Sequence, residues 1–111
     1  MAERSRKLSV SLAPAAQATL HEIWKWNAER YGVEHADHYL AFLRLTAYRL
    51  ADEDFAGKPV PTRANLHYLI IKRRRRGHGH VAIYRFTADV IEVLDFFHTA
   101  QDWQSKLVDE E

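Results

Sequence analysis

The second half of this chain gathers the residue types that handle protons and anions. Lys72-Arg73-Arg74-Arg75-Arg76 is followed by His78, His80, Tyr84, Arg85 and His98. Imidazole and phenol groups give and take protons, and clustered guanidinium groups hold anions. His78 and His80 stand at alternate positions, as two metal ligands would, but spacing supplies no carboxylate or third histidine to complete a site. Whether His98 comes near them depends on strand register. The expectation is turn and edge histidines beside Gly77 and Gly79, with no metal and no cofactor. Four arginines in succession repel one another and lose freedom when ordered, which makes an idle surface an unattractive reading. Arg73, Arg74, Arg75 and Arg76 are instead expected to bind a partner, since arginine is enriched at interfaces.

The whole-chain balance narrows the kind of partner. Net charge is only +1, and the chain closes on Asp109-Glu110-Glu111. A nearly neutral protein with one positive patch suits an acidic partner better than wrapping of nucleic acid, which stays a secondary option. Cysteine is absent, which removes disulfides, thiolate metal sites and thiol nucleophiles and fits a reducing compartment. Met1 to Lys7 is polar, and no apolar run approaches the roughly 20 residues of a membrane span. A soluble cytoplasmic protein with no membrane partner is expected.

The elements that must position these groups fit one domain over 1–111, with loose ends at 1–7 and 104–111. Leu8, Val10 and Leu12 alternate with serines, the pattern of a half-buried strand. Pro14 suits a first helical position, although Ala13 before it is a poor cap. Ala16, Leu20, Ile23, Trp24 and Tyr31 then trace one helical stripe, interrupted by Asn27 and stopped by Gly32. Trp26 falls on a different face, a possible anchor for a partner. Ala36, Leu40, Leu43, Ala47 and Leu50, widened by Tyr39, predict a second helix packed antiparallel to the first.

Residues 52–65, with Gly57, Pro59 and Pro61, read as a long loop. Strands are predicted at 66–72, 80–86 and 90–97, joined by the arginine turn and by Thr87-Ala88-Asp89. The fold class is α+β, in the order β-α-α-β-β-β, a helical hairpin on a small, mainly antiparallel sheet. Apolar residues fill nearly every position from Val90 to Phe97, so both sheet faces need covering, by a partner or by the chain's own tail.

Four stretches resemble the RelE/ParE superfamily of toxin–antitoxin proteins, in particular its ParE-like branch. They are Leu12-Ala-Pro-Ala-Ala-Gln-Ala-Thr-Leu20 with Glu22-Ile-Trp24, then Ala28-Glu-Arg-Tyr-Gly32 with Ala36-Asp37 and Tyr39-Leu40, His80-Val-Ala-Ile-Tyr-Arg85, and Ile91-Glu-Val-Leu94 leading to His98 and Asp102. The resemblance implies the same element order and a small, ParD-like antitoxin whose C-terminal segment wraps and neutralises the toxin. It also implies one of two activities, since RelE-like members cut messenger RNA on the ribosome and ParE-like members poison DNA gyrase.

A metal-independent RNase would need a general base, a general acid and cations on one concave face. Arg85, His98, Tyr84 and Lys72 would be that set here, with His78 and His80 nearby in sequence. Asp95 counts against it. The neighbouring strand carries this carboxylate where many relatives have arginine, and on a face shared with Arg85 it would repel phosphate. The remaining cations sit in a turn, a poor platform for catalysis. The expected function is therefore a non-enzymatic gyrase inhibitor, with Arg73 to Arg76, Trp26 and His98 binding partners. A RelE-type RNase is the alternative, and an inactive family member the second.

Overall fold

The computed structural model describes residues 8–52 and 55–107. Strand β1 (Ser9–Leu12) runs through Ala13 into helix α1 (Pro14–Tyr31). Ala13 has no side chain that can cap, and the helix start is secured otherwise. The Ala13 amide donates to Val93 O at 2.9 Å, and Gln17 Nε2 reaches back to Leu12 O at 3.0 Å. Gly32 alone joins α1 to α2 (Val33–Tyr48), holding a φ of 97° that a residue with a Cβ rarely adopts. Its amide closes on Ala28 O at 3.0 Å, so the hairpin is tight and antiparallel. A short 3-10 turn, Arg49–Ala51, ends the helical part.

The sheet is mixed and five-stranded, in the order β1-β5-β4-β3-β2. β3 (Arg63–Ile71), β4 (His80–Phe86) and β5 (Val90–His98) form the antiparallel meander, and β1 pairs parallel to β5 from Ser9↔Val90 to Leu12↔Val93. Thr87 closes the last hairpin, both its amide and its hydroxyl donating to Val90 O. The expected loop over 52–65 is corrected in part. Lys58–Val60 forms an edge strand, β2, against β3, which starts at Arg63 rather than Leu66. Pro59 hides this strand in the sequence, because proline is tolerated on a sheet edge without any period to announce it.

The helical hairpin covers one sheet face. Ala16, Leu20, Leu40, Leu43, Ala47 and Leu50 pack on Leu69, Ile71, Ala82, Tyr84, Ile91, Val93 and Phe96. Tyr31, expected on this stripe, is instead 59% exposed. Asn27 is buried on it, satisfied by donating from Nδ2 to Ile23 O at 2.8 Å. The opposite face is covered in part by the chain's own tail, with Ile70 left 51% exposed. Trp103 and Leu107 pack with Val60, Leu66, Val81 and Ile83, and Arg63 Nη2 holds Leu107 O at 3.1 Å. Trp103–Lys106 is a 3-10 turn and lies partly within the 104–111 stretch expected as a loose end. The other expected loose ends, 1–7 and 108–111, lie outside the described residues, as does the acidic close of the chain. No helix among the described residues is long and apolar enough to cross a membrane.

Candidate functional site

A groove of about 790 Å³ opens between the helical hairpin and the His80 end of the sheet. Thr19, Ile23 and Trp26 of α1 follow one another at three- and four-residue steps and form one wall. His35 and Tyr39 of α2 extend that wall, and Arg73, Arg74 and Arg76 overhang it from the turn after β3. His78, His80, Phe96 and His98 close its end. Trp26 is 51% exposed, edge-on to Tyr31 at 6.0 Å and under the Arg30 guanidinium at 4.5 Å. Arg73 stands 5.6 Å from the ring centres of both Tyr39 and Phe42, within cation–π reach. Among the described residues no carboxylate pairs with Arg73, Arg74 or Arg76, and Glu22 is the one acidic side chain in the lining. A smaller cleft of about 330 Å³, between the helices, holds Trp24 Nε1 donating to Asp37 and gathers no such charge.

Register settles where His98 lies. β4 and β5 pair His80 with His98, and the His98 ring centre is 5.4 Å from those of both His80 and His78. The Nδ1 atoms are tied back to the fold. Ala100 N donates to His98 Nδ1 at 3.0 Å, Tyr39 Oη meets His80 Nδ1 at 2.7 Å, and Thr99 Oγ1 lies 3.4 Å from His78 Nδ1. Burial, with His98 adding repulsion, pushes the His80 pKa down to about 4. Burial and then His78 hold His98 below the ordinary imidazole value. Burial raises the Tyr39 phenol, opposed by Arg73, so it keeps its proton. Among the described residues no three histidine or acidic side chains are grouped to hold a metal ion.

Beyond Leu12 the β1 side of β5 has no strand beside it, yet its donors are occupied. The pairing steps irregularly at Ile83/Tyr84, and Leu94 is left without a partner. After this bulge Thr99 N bonds Gly79 O on the β4 side, so the amides of Phe96 and His98 face the other way. Asp95 Oδ1 accepts from Phe96 N at 2.8 Å, and Gln101 Oε1 accepts from His98 N at 2.8 Å. Asp95 also accepts from Thr19 Oγ1 of α1 at 2.6 Å.

The residues expected to form an RNase set do not converge. Tyr84 is 1% exposed, and its hydroxyl accepts from Gly57 N at 2.9 Å, a core role rather than a surface acid. Arg85 lies at the far end of β4 from His80 and pairs with Glu92 at 2.9 Å. Asp95, expected to repel phosphate on a face shared with Arg85, instead opposes Ile83 and is engaged by Thr19, while Arg85 opposes Glu92. Lys72 is exposed but outside the groove lining, as is Arg75. Arg73, Arg74, Arg76, Trp26 and His98, by contrast, meet in one place. Sequence reasoning missed Tyr39, His35 and Gln101. Tyr39 carried a signal, an aromatic flanking the α2 stripe, whereas Gln101 carried none, since a polar residue after a strand has no period.

Comparison with known proteins agrees with this architecture. Residues 10–103 match the family model described as ParE toxin of type II toxin-antitoxin system, parDE, and the chain belongs to this family. It is 32% identical over 92 residues to Toxin ParE1 of Mycobacterium tuberculosis H37Rv, covering 82% of this chain and 89% of that one. It is 30% identical over 97 residues to Toxin ParE1 of Caulobacter vibrioides, covering 86% and 94%. The fold is shared with the chromosomal ParDE toxin–antitoxin system of P. aeruginosa (TM-score 0.71, 19% identity, 82% of this chain and 95% of that one). It is shared too with the toxin–antitoxin complex RelBE2 of M. tuberculosis (TM-score 0.60, 20% identity, 90% and 100%).

Proposed function

We propose that this ParE-family chain is the toxin of a type II toxin–antitoxin pair, arresting growth in the cytoplasm by binding DNA gyrase. Its cognate, ParD-like antitoxin neutralises it by seating an acidic and partly apolar segment in the groove. The observation that carries the partner reading is the groove itself, where three arginines without carboxylate partners among the described residues overhang exposed Trp26 and Tyr31. Unpaired cations beside apolar rings suit an acidic peptide, because charge complementarity steers encounter while buried aromatic surface supplies hold.

Binding without chemistry is supported by the dispersal of the acid–base candidates. Tyr84 is buried and Arg85 is neutralised by Glu92, far from His98. That dispersal favours gyrase over ribosome-dependent RNA cleavage. Incubating the pure protein with gyrase and supercoiled plasmid tests the target. Trapped cleavage complexes or lost supercoiling are expected, and an unaffected gyrase with cuts in translated messages would overturn it. The partner is tested by co-expression, where a stable complex is expected and Arg73→Glu/Arg76→Glu should dissolve it.

A further inference from the structure

We propose that the three imidazoles at the end of the groove form an oxyanion receptor that takes one carboxylate side chain of the antitoxin segment. This rests on the partner reading above and adds to it the atoms that do the holding. His98 fixes the pattern. Its Nδ1 accepts from a backbone amide, Ala100 N, so the neutral ring must carry its proton on Nε2. Tyr39 keeps its phenolic proton 2.7 Å from His80 Nδ1, and giving that proton to the ring would leave His80 in the same tautomer. The Thr99 hydroxyl accepts from Gly79 N at 3.0 Å, which leaves its own proton available to His78 Nδ1, 3.4 Å away.

The three rings are held at their Nδ1 atoms and line the same groove, and we assign their Nε2–H groups to its opening. The rings are 5.4 Å apart about His98, close enough for one oxyanion to accept from more than one of them. Arg73 and Arg76 line the same groove and add charge to neutral donors. The tautomer also argues against a metal. A neutral histidine that ligates through Nε2 carries its hydrogen on Nδ1, and in His98 that position is taken by an incoming N–H. A carboxylate side chain is favoured over a nucleic-acid backbone because apolar Ile23, Trp26 and Tyr31 line the groove beside the cations and net charge is only +1, where a backbone calls for an extended basic surface.

Long-range ¹H–¹⁵N correlation of the imidazoles at pH 7.5 reads the tautomers directly. All three rings should carry Nε2–H, and a Nδ1–H form at His98 and either neighbour would overturn the receptor. Sodium acetate, added against sodium chloride at equal ionic strength, should shift these three Nε2 signals saturably. A response to inorganic phosphate with none to acetate would point to nucleic acid and overturn the carboxylate assignment. Stoichiometric uptake of zinc on the same signals would replace it with a metal site. In the co-expressed complex, His78→Ala and His98→Gln should each weaken the antitoxin about tenfold, the size of one charge-assisted hydrogen bond. A complex of full affinity in the double variant would remove the receptor and leave the proposed function standing. An acetate response with no antitoxin complex would overturn the partner reading and, with it, the antitoxin carboxylate as occupant.

Discussion

At the Phe86 end of β4, Tyr84 accepts a hydrogen bond from Gly57 and Arg85 gives its guanidinium to Glu92. At the other end, His80 is tied on one side only, and Arg73, Arg74 and Arg76 reach across the groove with no acidic partner among the described residues. The two ends use the same kinds of residue. They differ in whether the fold consumes the polar groups itself. Where it does, a tyrosine and an arginine become structural; where it does not, they remain available to something else.

Three perturbations sharpen that contrast. The largest effect is expected from Gly57→Ala. The new Cβ would lie 2.0 Å from Tyr68 O and 3.1 Å from the Tyr84 hydroxyl, so backbone has to move. A loss of about 3 kcal/mol or more is expected in chemical denaturation. A wild-type midpoint would show that the closed end is looser than its hydrogen bonds suggest.

Acid should act at the open end. His80 titrates at about 4 when folded against an ordinary 6.5, so the unfolded chain binds this proton first. Stability is therefore full above pH 6.5 and falls between there and about 4, by roughly 2–3 kcal/mol from this group. Urea melts at pH 7.5 and 4.5 should show the drop, and His80→Gln should reduce it. An unchanged drop in that variant would assign the acid sensitivity elsewhere.

The smallest effect is expected from Glu92→Gln. The Arg85 and Glu92 side chains are 41% and 28% exposed, and water screens such a pair to less than about 1 kcal/mol. Antitoxin affinity should not change at all. A tenfold loss there would mean that the partner also reaches the closed end of the strand.

Much of the scaffold was legible because burial leaves a period. The stripes Ala16-Leu20 and Ala36-Leu40-Leu43-Ala47 mark the helices, and they do cover one sheet face. The meander was legible from β-branched and aromatic runs. β2 was not, since Lys58, Pro59 and Val60 form an edge strand with one buried residue. Tyr31 misled because a helical stripe continues in sequence past the point where the sheet ends in space. The groove could be suspected from its arginines but not drawn, because its closure depends on the register that sets His98 opposite His80. Periodicity says which face a side chain takes, not how far a strand has slid. Asp95 shows the same limit: its charge suggested repulsion of a phosphate beside Arg85, and past the bulge the carboxylate engages Thr19 instead.

The occupied edge of β5 has a consequence of its own. An open strand edge is a template on which unfolded or misfolded chains can stack, and β1 covers this one only as far as Val93. Asp95 and Gln101 complete the cover with two side chains in place of a strand. The backbone donors that would recruit a further strand at this edge are thereby already taken within the fold.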